Sequence, residues 1–173
     1  MHGASQIYPL FSVNGVPRYD HYPLFSILSK THSRLSTLTI TNVRISEDEF
    51  LNCLMLLSEL TTLRILKRSD VQPIENQINN NIMNLLTFQD EGTPRPLCLL
   101  LETITLEFCV GADDGLFFEM VQSRRCSPDV LRRNGVAILK QLDAVLPQSM
   151  HTLDEEGLKK MYGEGLRGSL KLI

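Results

Sequence analysis

Tryptophan is absent from this chain, and only 6% of its residues are aromatic. The four cysteines, at 53, 98, 109 and 126, are far apart. None forms a C-x-x-C pair or has a histidine at metal-ligand spacing, so no local zinc motif and no disulfide framework can be drawn. The expectation is reduced, mostly buried thiols in a cytoplasmic or nuclear protein. Long apolar runs are missing too: Leu97 to Leu101 is far too short to span a membrane. No N-x-[ST] sequon occurs, and the N-terminus lacks the basic and apolar regions of a signal peptide. There is no excess of positive charge. Against 17 Lys and Arg stand 20 Asp and Glu, a net charge of −3, which leaves no electrostatic footprint for nucleic acid. Neither nucleic acid nor a membrane is therefore expected as a partner. With 43% apolar and 21% charged residues over 173 positions, the chain has the composition of a globular domain with a sizeable core.

A short pattern occurs three times. Leu35-Ser-Thr-Leu38-Thr-Ile40, Leu60-Thr-Thr-Leu63-Arg-Ile65 and Leu101-Glu-Thr-Ile104-Thr-Leu106 all read L-x-x-L-x-L, with an aliphatic residue at the last position. Each lies beside a helix-like stretch, and a repeated strand plus helix is the mark of a leucine-rich-repeat solenoid. The fold class expected is α/β: a short, irregular solenoid with a parallel sheet on the concave face and helices on the convex face. Leu35 to Leu60 is 25 residues and Leu60 to Leu101 is 41. The excess predicts an insertion loop near 66–96 within a repeat domain over 23–173, which follows an irregular segment over 1–22.

Local signals fill in the elements. Asn14-Gly15 is a turn dipeptide. Pro23 suits the first turn of a helix whose face, Leu24, Phe25, Ile27 and Leu28, runs to about Lys30. Ser46-Glu-Asp-Glu49 is an S-x-x-E capping box ahead of Phe50, Leu51, Leu54 and Leu57, and predicts a helix over 47–58. Within the insertion, Ile78, Ile82, Leu85 and Leu86 line a helix face, although the asparagines among them are poor helix formers. Asp113-Asp114 opens a helix carrying Leu116, Phe117, Met120 and Val121. Ser127-Pro128 and Asn134-Gly135 mark a long loop. Val136 to Leu146 fits either a strand or a helix, and its Leu139-x-x-Leu142 reads as a degenerate fourth repeat. A helix near 153–163 and a strand over Ser169 to Ile173 end the chain.

Side chains alternate faces along a strand. The fourth and sixth repeat positions therefore point into the core, and the first does so at the entry bend. The outward positions are Thr37, Thr39 and Thr41 in the first copy, Thr62, Arg64 and Leu66 in the second, and Thr103, Thr105 and Glu107 in the third. Threonine suits a solvated sheet face, and parallel neighbours would set these residues in rows on the usual binding surface of a solenoid. The partner-binding candidates are Thr37, Thr39, Thr41, Thr62, Arg64, Thr103, Thr105 and Glu107. An N-terminal repeat without a polar cap predicts self-association.

The run YPLFSILSKTHSRLSTLTITNVRISEDEFLNCL, the following LTTLRI, then LLLETITLEFC with DDGLFFEMVQSRR, and the closing LDEEGLKKMYGEGLRGSLKLI together resemble the repeat region of basidiomycete F-box proteins. The resemblance runs from Tyr22 to the end. Its most telling pieces are the L-E-x-[IL]-x-L-x-x-C run ending at Cys109 and the segment Met120-Val-Gln-Ser-Arg124. The usual repeat Asn or Cys is replaced by Val43 in the first copy and Arg68 in the second; Cys109 alone fits. The resemblance implies a non-catalytic module that recognises substrates for a cullin-based ubiquitin ligase, with the F-box itself absent. It implies a protein partner and no cofactor. A general scaffold without a ubiquitin link and a small α/β enzyme are the alternatives.

Other motifs have bland readings. His2, His21, His32 and His151 are scattered in turn or loop contexts and carry no nucleophile or metal signature. Asp113-Asp114 and Glu155-Glu156 open helices, where acids suit the dipole. Gly163-Glu-Gly165-Leu-Arg-Gly168 formally matches G-x-G-x-x-G, but a helix precedes it and only five residues follow, so its glycines are expected to end that helix and turn into the last strand. Arg124-Arg125, Arg132-Arg133 and Lys140 read as a solvated loop and helix end, with contact to an acidic partner as the alternative.

Overall fold

The computed structural model describes residues 35–42, 45–67, 78–90, 95–147 and 151–173. The irregular segment 1–22 with its Asn14-Gly15 turn, the helix expected from Pro23 to Lys30, three of the four histidines, and Val43 and Arg68 lie outside the described residues.

Among the described residues, five strands form one sheet: β1 Thr37–Thr41, β2 Thr62–Leu66, β3 Thr103–Glu107, β4 Gln141–Leu146 and β5 Arg167–Leu172. All pairings are parallel, and the strands lie in sequence order. Five helices are described: α1 Glu47–Leu56, α2 Asn80–Leu86, α3 Leu116–Ser123, α4 Pro128–Arg133 and α5 Thr152–Gly163. Each strand-to-strand connection thus carries a helix, the usual form of the crossover that a parallel pair requires.

The repeat leucines behave as their spacing predicts. Leu35, Leu38 and Ile40 are buried, as are Leu60, Leu63 and Ile65, and Leu101, Ile104 and Leu106. The ambiguous segment resolves as a strand, and Leu139, Leu142 and Ala144 continue the same three positions into β4. Helix residues join these in one core, among them Phe50, Cys53 and Leu54 of α1, Met83 of α2, Phe117 and Met120 of α3, and Leu158 of α5. A smaller cluster of Phe88, Leu131 and Val136 sits under α4.

Three local expectations need correction. The long loop after Ser127-Pro128 contains α4, because Pro128 at the first turn presets a helical φ and Leu131 finds an apolar site. Helix α1 ends at Leu56 rather than 58. The capping box forms only in half. Ser46 Oγ accepts from the Glu49 amide at 3.2 Å, but Glu49 Oε1 is buried with no hydrogen-bond partner.

Candidate functional site

The register lays the outward residues in straight rows. Thr37, Thr62 and Thr103 align with Gln141 and Arg167; Thr39, Arg64 and Thr105 with Asp143 and Ser169; and Thr41, Leu66 and Glu107 with Val145 and Lys171. All eight candidate residues therefore share one face, opposite the helix-packed core. Thr41 and Arg64 are exposed and the other six are half-buried. Gln141, Asp143, Ser169, Arg167 and Lys171 belong to the same face, although the sequence did not assign them to it. The available signal was Leu139-x-x-Leu142, which carries Gln141 and Asp143 in the outward slots.

The two halves of this face differ in chemistry. Arg167 and Lys171 have no hydrogen-bond partner among the described residues, but on β4 and β5 the other polar side chains satisfy one another: Asp143 accepts from Gln141 Nε2 at 2.9 Å and from Ser169 Oγ at 2.9 Å. On β1 to β3 they do not. Among the described residues, the hydroxyls of Thr37, Thr39, Thr62, Thr103 and Thr105 and the guanidinium of Arg64 have no hydrogen-bond partner, unlike Thr61, whose hydroxyl donates to Ser36 O at 2.9 Å. A half-sheet of unpaired hydroxyls around one guanidinium, spaced about 4.8 Å apart across the strands, can donate to and accept from a polar ligand.

A second polar assembly runs along the helix N-termini. Glu47 of α1 accepts from Asn79 at 2.7 Å and from Asn81 at 2.8 Å. Asn79 caps α2 by accepting from the Ile82 amide, and Asn80 exchanges two hydrogen bonds with Asp113. Asp114 caps α5 from outside it, accepting from the amides of Leu153 at 2.9 Å and Asp154 at 3.1 Å. Asp154 in turn accepts from the Phe118 amide of α3 at 2.7 Å. Neither helix has a side-chain cap of its own, since Gly115 and His151 occupy those positions. Each helix thus supplies the other's cap, and Gly157 leaves room for the Phe118 ring between them, where a Cβ would come within 2.4 Å.

His151, fully buried, places Nδ1 2.8 Å from Asp154 Oδ2. Asp114, His151 and Asp154 bring one donor atom each within 4.8 Å of one another, which raises the question of a metal. Every oxygen of the two carboxylates, however, already accepts from an amide or from the histidine. These hydrogen bonds tie the three residues to the starts of two helices, so in this arrangement the donor set acts as a clamp, with His151 Nε2 buried and without a hydrogen-bond partner. The acids of Asp113-Asp114 thus serve helices other than the one they precede.

The clamp has a stability consequence. Burial would raise the Asp114 carboxyl, but the amides of Leu153, Asp154 and Thr152 with His151 nearby outweigh it and hold the group below its usual range. Its contribution is therefore complete at neutral pH and is lost as the pH falls through the depressed folded-state value. Asp114→Ala is expected to cost about 1 kcal/mol at pH 7 in urea unfolding, with the difference from the parent chain vanishing in acid. A difference that persists unchanged in acid would assign the loss to packing instead.

The basic cluster separates. Arg124 is fully buried, not solvated: its Nε donates to Leu86 O at 2.7 Å, Nη1 to Cys98 O at 3.0 Å and Nη2 to Leu97 O at 2.6 Å. Arg125 donates to Leu139 O at 2.7 Å, whereas Arg132 and Arg133 are exposed in the last turn of α4. The acidic-partner alternative is thus withdrawn for Arg124, whose donors are used internally. Cys53, Cys98 and Cys109 are buried, as expected, and Cys126 is exposed. Burial pushes Cys53 and Cys109 up to about 12 and Cys98 up to about 11, so these thiols are protonated and inert at neutral pH. The glycines of the formal fingerprint end α5 and enter β5, as expected: Gly165 has φ +98°, and the Leu166 amide returns to Met161 O at 3.0 Å. No helix among the described residues is long and apolar enough to cross a membrane. Compared with known proteins, the chain matches no family model, no curated protein and no solved structure.

Proposed function

We propose that this chain is a non-catalytic protein-recognition module, a short, irregular leucine-rich-repeat solenoid that offers its open sheet face to a protein partner. The observation that carries the reading is the set of in-register rows with unpaired threonine hydroxyls and a free Arg64 on β1 to β3. Three features support the repeat character. Asn42 and Phe108 follow the register-equivalent Thr41 and Glu107, and both adopt φ 52°. Cys109, in the repeat Asn-or-Cys position, turns inward and places Sγ 3.8 Å from Ile65 O of the neighbouring strand. A second parallel bridge, Ile78 with Val110, links adjacent repeats away from the sheet. The sequential strand order also contains no reversal of the kind that creates a ligand crevice in doubly wound enzymes.

A photocrosslinking amino acid at Thr105 is expected to capture a discrete protein in cells, with the adduct lost on Thr39→Glu. The same probe at Asn52 or Gln122, on the exposed helix surface, is expected to capture none. Adducts from the helix positions with none from Thr105 would overturn the reading. Through the fungal F-box resemblance, the captured protein is a substrate for ubiquitin ligation. Fused behind an F-box, the chain is then expected to shorten that protein's half-life, and Thr39→Glu to restore it. An unchanged half-life leaves a scaffold without the ligase link.

A further inference from the structure

We infer that the open sheet face takes an acidic, extended segment of its partner, and that the Arg64 guanidinium, flanked by the hydroxyls of Thr39 and Thr105, receives a carboxylate side chain. This rests on the recognition reading and adds the chemistry of what is recognised.

Arg64 is exposed at the centre of β2, in register with Thr39 on one side and Thr105 on the other. Arg125 donates to a carbonyl and Arg132 to a carboxylate, while the exposed Arg133 and Arg167 meet neither among the described residues. Arg64 has neither among the described residues. The only other charge on the β1 to β3 part of this face is Glu107, one strand over and two residues along from Arg64's register partner. That diagonal is about 7–8 Å between backbones, and no ion pair joins the two. A carboxylate matches the planar fork of a guanidinium bidentately, and its remaining lone pairs can accept from the two flanking hydroxyls. A monoanion is favoured over a phosphoryl group, because a single cation with Glu107 nearby cannot balance a second negative charge. An extended segment lying across the strands would meet the threonines of the adjacent row, Thr37, Thr62 and Thr103, at each strand spacing.

The test uses the isotopically labelled full chain and three synthetic decapeptides, alternating Ser-Glu, Ser-Gln and Ser-phosphoserine. The Ser-Glu peptide is expected to shift the Arg64 Nε–H resonance and the Thr39 and Thr105 amides. Binding should weaken about tenfold with the Ser-Gln peptide or with Arg64→Gln, and by less with Arg64→Lys, which keeps the charge but not the fork. Equal binding of Ser-Glu and Ser-Gln, shifts confined to Arg132 and Arg133, or tighter binding of the phosphoserine peptide would each overturn the inference. Capture at Thr105 in cells alongside silence at Arg64 would remove the acidic specificity alone, whereas loss of capture removes the recognition reading beneath it.

Discussion

Gly168→Ala is expected to detach β5 from the sheet and to cost about 3–5 kcal/mol, from backbone strain added to overpacking. Gly168 has φ +120°, and a Cβ there would lie 1.9 Å from Leu142 O. That oxygen cannot retreat easily. Leu142 lies in β4, which is paired on both sides, and its carbonyl also accepts from Tyr162 OH at 2.9 Å. The cost should appear as a lower urea midpoint and as faster hydrogen exchange over Arg167 to Leu172. The matching control is Gly163→Ala. A Cβ at Gly163 meets nothing within 4 Å, so alanine at the end of α5 is expected to be neutral or to stabilise by up to about 1 kcal/mol. Similar losses for the two variants would contradict the assigned roles of these glycines.

Arg124→Met is expected to cost about 3–5 kcal/mol, because it leaves the carbonyls that accept from this buried charged donor unpaired, at roughly 1–3 kcal/mol for each buried group. Three carbonyls point at this one side chain: Leu86 O at the end of α2, and Leu97 O and Cys98 O in the approach to β3. Burial lowers its pKa to about 10, still far above neutrality, so the group enters the core charged. The C-terminal end of α2 carries partial negative charge that suits a cation. Methionine fills the volume but leaves the carbonyls buried and unpaired. Arg124→Lys keeps the charge on a single ammonium that cannot span all three acceptors, so more than half of the loss should remain. Chemical unfolding would measure both. A loss below about 1 kcal/mol for Arg124→Met would show that the carbonyls find other partners.

Arg124 owes its place to the tertiary structure rather than to its neighbours in the chain. In sequence it sits in a basic cluster at a helix end, and nothing local separates it from Arg132 or Arg133. Its burial comes from the insertion between β2 and β3, whose carbonyls fold over it. The asparagines at 79–81 are similar. By propensity they argue against a helix, yet α2 forms there, because Asn79 caps it while Asn80 and Asn81 bond to the starts of neighbouring helices. His151 reads as a loop residue and is instead fully buried beside Asp154. The outward residues of the first three strands were legible because alternation along a strand needs no tertiary information.

Local pattern alone therefore sufficed for the strands β1 to β3, their buried leucines, the Ser46 start of α1 and the face on which Thr39, Arg64 and Thr105 stand. Each depends on a periodicity of two or on a contact within four residues. The membership of β4 and β5 in that face, the reciprocal capping of α3 and α5 by Asp154 and Asp114, and the interior place of Arg124 depend on groups about 26 to 41 residues apart in the chain. Such contacts leave no local signature, because a carboxylate or guanidinium carries the same sequence symbol whether it meets water or a backbone from a distant part of the chain. Packing of successive strands and helices brings those groups together, and among the described residues it leaves Arg64 unpaired on the exposed sheet face.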